Sequence, residues 1–107
     1  MEVRPRRLLR YATEDDEVPF DSWMDSLRDG TGRGKIFTRL DRVEDGNLGD
    51  CEPVGEGVFE LRINFGPGYR VYFGEDGDEI ILLWGGTKNT QTKDILKAKE
   101  YWRDYNA

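Results

Sequence analysis

The 107-residue sequence contains no histidine and a single cysteine, Cys51. The absence of His removes the usual general base, the Ser–His and Cys–His nucleophile pairs, and the standard zinc ligand sets. A lone cysteine excludes an internal disulfide, and its thiol would need a base from elsewhere to act as a nucleophile. Metal chemistry would have to rest on carboxylates, yet the acids fall in helix faces, loops and turns with no ligand spacing, so neither a metal nor another cofactor is expected. No apolar run approaches the ~20 residues of a membrane span. The Arg-rich N-terminus is not followed by the apolar segment of a secretory signal. The expectation is a cytoplasmic protein with no membrane partner.

Length and composition fit one soluble domain over residues 1–107, with 36% charged and 36% hydrophobic residues. A net charge of −6 argues against indiscriminate nucleic-acid binding, but the charge is segregated. Arg4, Arg6, Arg7 and Arg10 face only Glu2 within residues 1–10. Residues 14–29 hold seven acids against Arg28, and residues 31–43 return to a net +3 through Arg33, Lys35, Arg39 and Arg42 against Asp41. Such a chain can present a local basic face despite its acidic total.

The densest apolar sequence runs from Val58 to Gly86 and reads as three consecutive strands. Phe59, Leu61, Ile63 and Phe65 alternate with Glu60, Arg62 and Asn64, the period-2 pattern of a half-buried strand. After Gly66-Pro67-Gly68 the alternation resumes, with Tyr69, Val71 and Phe73 on one side and Arg70 and Tyr72 on the other. Glu75-Asp76-Gly77-Asp78 predicts a type I′ hairpin turn. Ile80 to Trp84 does not alternate and predicts a strand buried on both faces. If Gly66-Pro67-Gly68 is a three-residue loop, Asn64 pairs with Arg70 and Arg62 with Tyr72, so that all four share one polar face.

Elsewhere, Leu8–Ala12 reads as a short strand, and Phe20, Trp23, Met24 and Leu27 fall at i, i+3, i+4 and i+7 of a first helix. Gly30, Gly32 and Gly34 read as a helix–helix turn; no Gly-Lys-Ser/Thr follows to make a phosphate loop. Ile36, Phe37, Leu40 and Val43 predict a second helix closed by Gly46-Asn47, and Asn47–Gly57 reads as a polar loop. Ile95, Ala98 and Trp102 predict a C-terminal helix. The expected fold is α+β in the order β-α-α-β-β-β-α, with a two-helix hairpin and a C-terminal helix against one face of a small, mostly antiparallel sheet.

Gly66-Pro67-Gly68 lacks the third glycine and following helix of a dinucleotide site. What remains is the sheet face carrying Arg62, Asn64, Arg70 and Tyr72, with Lys88 just past the last strand. Guanidiniums and an ammonium placed together can clamp a phosphate, and tyrosines can stack on bases. The same residue types also suit the plain solvent face of a sheet.

The stretch VGEGVFELRINFGPGYRVYF, followed by EIILLWGGTKNTQTKDILKAKEY, resembles the toxins of bacterial toxin–antitoxin modules of the RelE/ParE superfamily, in particular the HigB-like, phage-derived addiction-module killer proteins. The likeness extends over nearly the whole chain: a short strand, Phe20-Asp21-x-Trp23, the loop Gly46–Asp50, Glu60–Ile63, Gly68–Tyr72, and Gly-Gly-x-Lys before the final helix.

The resemblance implies a RelE-like fold and a metal-independent endoribonuclease, an mRNA interferase that cuts mRNA in the ribosomal A site, inhibits translation and is neutralised by a cognate antitoxin. It places the catalytic positions at Glu60, Arg62, Arg70 and Lys88. In the implied reaction the RNA 2′-OH attacks the adjacent phosphorus and the 5′-oxygen leaves, giving a 2′,3′-cyclic phosphate. Arg70 would hold the phosphoryl oxygens, Arg62 orient the phosphate, and Lys88 support the leaving group. Asn64, Tyr69, Tyr72 and Lys93 are the expected substrate contacts. Two departures leave the general base and acid unassigned. Glu60 stands where RelE has a lysine, and Lys93-Asp94-Ile95 supplies no counterpart of RelE's tyrosine near the start of the final helix. Glu60 is a candidate base, against the electrostatic cost of a carboxylate beside a phosphate. Two alternatives stay open: a ParE-type gyrase-inhibiting toxin, and a non-catalytic member that only binds an antitoxin-like partner.

Overall fold

The structure is a computed structural model that describes residues 3–107. The chain runs β1 (Arg7–Arg10), α1 (Pro19–Ser26), α2 (Gly30–Glu44), β2 (Cys51–Gly55), β3 (Val58–Ile63), β4 (Tyr69–Asp76), β5 (Glu79–Thr87) and α3 (Gln91–Tyr105), with a 3-10 turn at Lys88–Thr90. The α+β expectation holds, with a five-stranded mixed sheet of order β1-β5-β4-β3-β2. Among the described residues only β1 pairs in parallel, with β5. The stretch Ile80–Leu83 is fully buried, as its continuous apolar character requires of an interior strand.

Helices cover both faces of the sheet rather than the single face expected. Phe20, Trp23 and Met24 of α1 and Ile36, Leu40 and Val43 of α2 pack with Leu61, Ile63, Val71 and Phe73. On the opposite face Ala98 of α3, flanked by Ile95, Tyr101 and Trp102, packs with Val58, Tyr72, Ile81 and Leu83. The face carrying Tyr72 is therefore a second core under α3, not a solvent face. Period-2 alternation separates the two sides of a strand but does not reveal that a helix far along the chain caps the polar side.

Three local expectations are corrected. The glycines 30, 32 and 34 lie inside α2, because Asp29 accepts from the Gly32 N–H at 2.9 Å and caps the helix there. A Cβ on Gly32 would stand 2.5 Å from Asp29 Oδ2 and 2.7 Å from the Tyr69 ring, so only glycine fits that first turn. The supposed loop at Asn47–Gly57 contains β2, paired antiparallel with β3 through a two-residue turn in which Glu56 and Gly57 both take positive φ, the type I′ pattern. The β4–β5 turn is Gly77-Asp78 with positive φ only at Gly77, which matches type II′ rather than I′.

The β3–β4 register differs from the expected one by two residues: Ile63 pairs with Tyr69, Arg62 with Arg70 and Glu60 with Tyr72. The connection is five residues long because Phe65 N–H bonds Ile63 O at 2.9 Å and Gly68 N–H bonds Phe65 O at 3.0 Å, ending the ladder early. A shift by two keeps the strand residues Glu60, Arg62, Arg70 and Tyr72 on their expected face, but it leaves Asn64 outside the ladder, beside α2 rather than on that face as expected. It also brings the two arginines directly opposite each other.

Candidate functional site

One row across the α3 face of the sheet places Arg62, Arg70 and Gly86 side by side, and the next row places Glu60, Tyr72 and Trp84. A bulge between Tyr72 and Phe73 in the β4–β5 ladder sets Trp84 opposite Tyr72. From α3, Gln91 and Asp94 close down on these rows.

Glu60 is the centre of this site and is fully buried. Its carboxylate accepts from Arg62 Nε at 2.9 Å, from Gln91 Nε2 at 3.0 and 2.8 Å, and from the Tyr72 hydroxyl at 3.0 Å. Arg70 Nε approaches the same Oε1 at 3.8 Å as an ion pair. Burial, the largest influence on this carboxyl, acts to raise its pKa. The hydrogen bonds from Arg62, Gln91 and Tyr72 outweigh it and hold the group below its ordinary value. Glu60 is thus an ionised internal counter-ion with its lone pairs occupied, an environment unlike that of a general base.

Both guanidiniums keep donors in reserve. Among the described residues Arg62 gives only its Nε to an acceptor, and its side chain is 36% exposed. Arg70 donates Nη1 to the carbonyls of Gly68 and Tyr69 at 3.1 and 3.3 Å, while among the described residues its buried Nε has no hydrogen-bond partner. Lys88 is exposed, and its N–H bonds Gly68 O at 2.9 Å. A Cβ placed on Gly68, which takes φ +79°, would lie 3.4 Å from both Arg70 Nη1 and Lys88 Cβ. A side chain on Gly68 would therefore press on the Arg70 guanidinium and on the base of the Lys88 side chain. Arg62, Arg70 and Lys88 meet the carboxylates of Glu60 and Asp94 at this end of the sheet, and Asp50 and Glu52 also act on Arg62, so what suits a phosphate is the local pair of guanidiniums rather than a net surplus of charge.

The expected substrate contacts fare differently. Tyr72 is fully buried, with its hydroxyl committed to Glu60, and burial followed by the Glu60 charge pushes its pKa up. No base can stack on it. Tyr69 lies on the opposite face of the sheet, buried, donating to Asp29 Oδ2 at 2.9 Å. The strand alternation that puts Arg70 under α3 sends Tyr69 toward α2. Asn64 is exposed in the β3–β4 loop and lies beside α2 with Lys35, Arg39 and Arg42. Lys93 is exposed on α3, in no ion pair among the described residues.

Two residues escaped the sequence reading. Gln91 bridges both oxygens of Glu60, and Asp94, also buried, accepts from Trp84 Nε1 at 3.0 Å and from Thr90 Oγ1. The available signal was their place on the stripe Gln91, Asp94, Ala98, Tyr101 and Tyr105, where the 3–4 spacing puts two polar residues in line with the buried face. A cavity of about 480 Å³ lined by Leu48, Cys51, Pro53 and Phe59 lies at the β2 edge, apart from these groups. Among the described residues no set of acids or cysteine gathers to hold a metal ion, and no helix is long and apolar enough to cross a membrane.

No protein-family model matches the sequence. Over 83 residues, 77% of this chain and 84% of the other, the sequence is 49% identical to an uncharacterized protein of Haemophilus influenzae.

Proposed function

The chain belongs to one family with this Haemophilus protein, and we propose that it is the toxin of a type II toxin–antitoxin module with a RelE-like fold, cutting ribosome-bound mRNA. The observation that carries this reading is the pairing of Arg62 with Arg70 at one end of the sheet, beside Lys88, with guanidinium donors still free. Two facing guanidiniums, with a lysine on the turn that follows the neighbouring strand, suit a phosphodiester whose charge grows during reaction.

In this reaction the 2′-hydroxyl gives its proton to solvent water as its oxygen bonds phosphorus, the P–O5′ bond breaks, and the 5′-oxygen takes a proton from water, leaving a 2′,3′-cyclic phosphate and a 5′-hydroxyl. Arg70 meets the non-bridging oxygens, Arg62 fixes the phosphate, and Lys88 sits at the leaving oxygen. Glu60 holds the two arginines apart and in register; it does not remove the 2′-proton. The inhibitory partner is a cognate antitoxin whose acidic side chains meet Arg62, Arg70 and Lys88.

Induced expression in bacteria, with and without the neighbouring open reading frame and with mRNA ends mapped, tests the reading. Growth arrest with new mRNA ends, relieved by the neighbour and by Arg70→Ala, is expected. Arrest with intact mRNA and a DNA-damage response would replace it with gyrase inhibition. No arrest at all would replace it with a binding-only role.

A further inference from the structure

The ion pairs divide the protein's cations into two sets. Arg6, Arg7 and Arg10 near the N-terminus pair with Glu75, Glu79 and Asp21, and Arg4 pairs with Asp78. Lys99 and Arg103 pair with Glu56. The basic N-terminus read from the sequence is therefore neutralised within the fold. Arg28, Arg33, Lys88, Lys93 and Lys97 enter no ion pair among the described residues, and neither do Lys35, Arg39 and Arg42 of α2, but these last three share one groove.

These three cations line a groove of about 270 Å³ with Thr38, Asn64 and Phe65. Lys35 Nζ sits 5.5 Å from the centre of the Phe65 ring, which holds the ammonium over the groove wall. Arg39 donates to the carbonyls of Leu48 at 2.8 Å and Asp50 at 3.0 Å and also to the carbonyl of Arg62. Asp50 draws on Arg39 electrostatically without pairing to it. The groove is thus fastened to the residue that carries the Arg62 side chain on the other face, and the loop from Asn64 to Gly68 joins it to Arg70.

We infer that this groove binds the phosphodiester backbone of a single RNA strand, as a second contact for a strand that passes the Arg62–Arg70 end. The choice of RNA over an acidic polypeptide rests on the nuclease reading above; the unpaired charge of the groove does not.

The test uses a fluorescein-labelled single-stranded RNA 12-mer with 2′-O-methyl sugars, which cannot be cleaved, and follows its affinity against salt. Lys35→Ala combined with Arg42→Ala removes two cations from exposed positions and leaves Arg39 to hold its carbonyls. The slope of log K against log salt should become shallower by about 1.4, from roughly 0.7 per phosphate contact on a single strand. Lys35→Arg with Arg42→Lys should keep the parental slope. An unchanged slope in the double alanine variant, with an unchanged Tm, overturns the inference. So does a glutamate 12-mer that displaces the RNA from the parent and loses its own binding in the double alanine variant, which would assign the groove to an acidic protein. A slope set by Lys35 and Arg42 in a protein that produces no new mRNA ends would sustain the groove and remove the nuclease.

Discussion

Arg62 and Arg70 stand opposite each other on β3 and β4 and share one oxygen, Glu60 Oε1, with their Nε atoms 2.9 and 3.8 Å from it. Two like charges tolerate this closeness because the buried carboxylate lies between them. The arrangement makes the pair both part of the fold and part of the proposed site, and the two roles separate on substitution.

Arg70→Ala should lower mRNA cleavage by roughly 10²–10³-fold, the cost of losing a preorganised partner of a developing oxyanion. It should also cost about 1–2 kcal/mol of stability, because Glu60 keeps Arg62, Gln91 and Tyr72 but loses one charge partner. Arg70→Lys should regain only part of the rate, since an ammonium lacks the planar fork. Cleavage by Arg70→Ala at the parental rate would show that the reacting phosphate lies elsewhere.

Glu60 ties stability to acidity. Its folded pKa is depressed below the ordinary 4.5, so its contribution is fully present above that value and is lost as pH falls through the lower folded value. The Tm should fall from pH 5 toward pH 3, and less steeply in Glu60→Gln than in the parent. Asp29 and Asp78, also depressed, keep a residual slope of the same sign in the variant. Glu60→Leu, which strands both arginines, should cost about 3–5 kcal/mol. Equal pH slopes for parent and Glu60→Gln would refute the counter-ion role.

Gly86→Ala should destabilise at or above the upper end of the usual overpacking range of about 1–3 kcal/mol. Its Cβ would fall 1.8 Å from Asp94 Oδ2, breaking the link from α3 to Trp84 and Thr90. Gly77→Ala is the control for position within the hairpin, since nothing lies within 4 Å of its Cβ and only backbone strain at φ +60° opposes it. A denaturant midpoint for Gly86→Ala as high as that of Gly77→Ala would contradict the packing.

Cys51 should react slowly with iodoacetamide at neutral pH. Burial, the leading cause, pushes its thiol up to about 11, which leaves roughly 10²-fold less thiolate than in an unperturbed cysteine. Alkylation at the rate of free cysteine would show that the β2 edge opens readily.

The elements that the sequence made legible are those whose pattern is local. Phe20, Trp23 and Met24 are buried as their spacing requires, and Gly46 takes the positive φ of a helix C-terminus, whereas Leu27, expected as the fourth member of the stripe, lies just past the end of α1 in extended backbone. Strand alternation placed Arg62, Arg70, Glu60 and Tyr72 on one face correctly even though the register was two residues off. What was not legible depends on distant partners. Nothing near Glu60 announces that Gln91 will cover it, and Pro53 disguises β2, where an edge strand tolerates the missing donor. Phe37 looks like core by composition but is 48% exposed, because Ile36, Leu40 and Val43 already fill the stripe facing the sheet.

The parallel pairing of β1 with β5 sets the order in which the chain can be completed. Arg7 pairs with Glu79 and Arg10 with Leu82, so the first strand has no partner until the chain through Leu82 has emerged from the ribosome making it. Closing so long a loop is entropically costly and slows folding. Gln91 emerges later still, and until it docks Glu60 lacks the amide that bridges its two oxygens. A nascent chain thus carries Arg62 and Arg70 around an incompletely bonded Glu60 until the segment bearing Gln91 is free to dock.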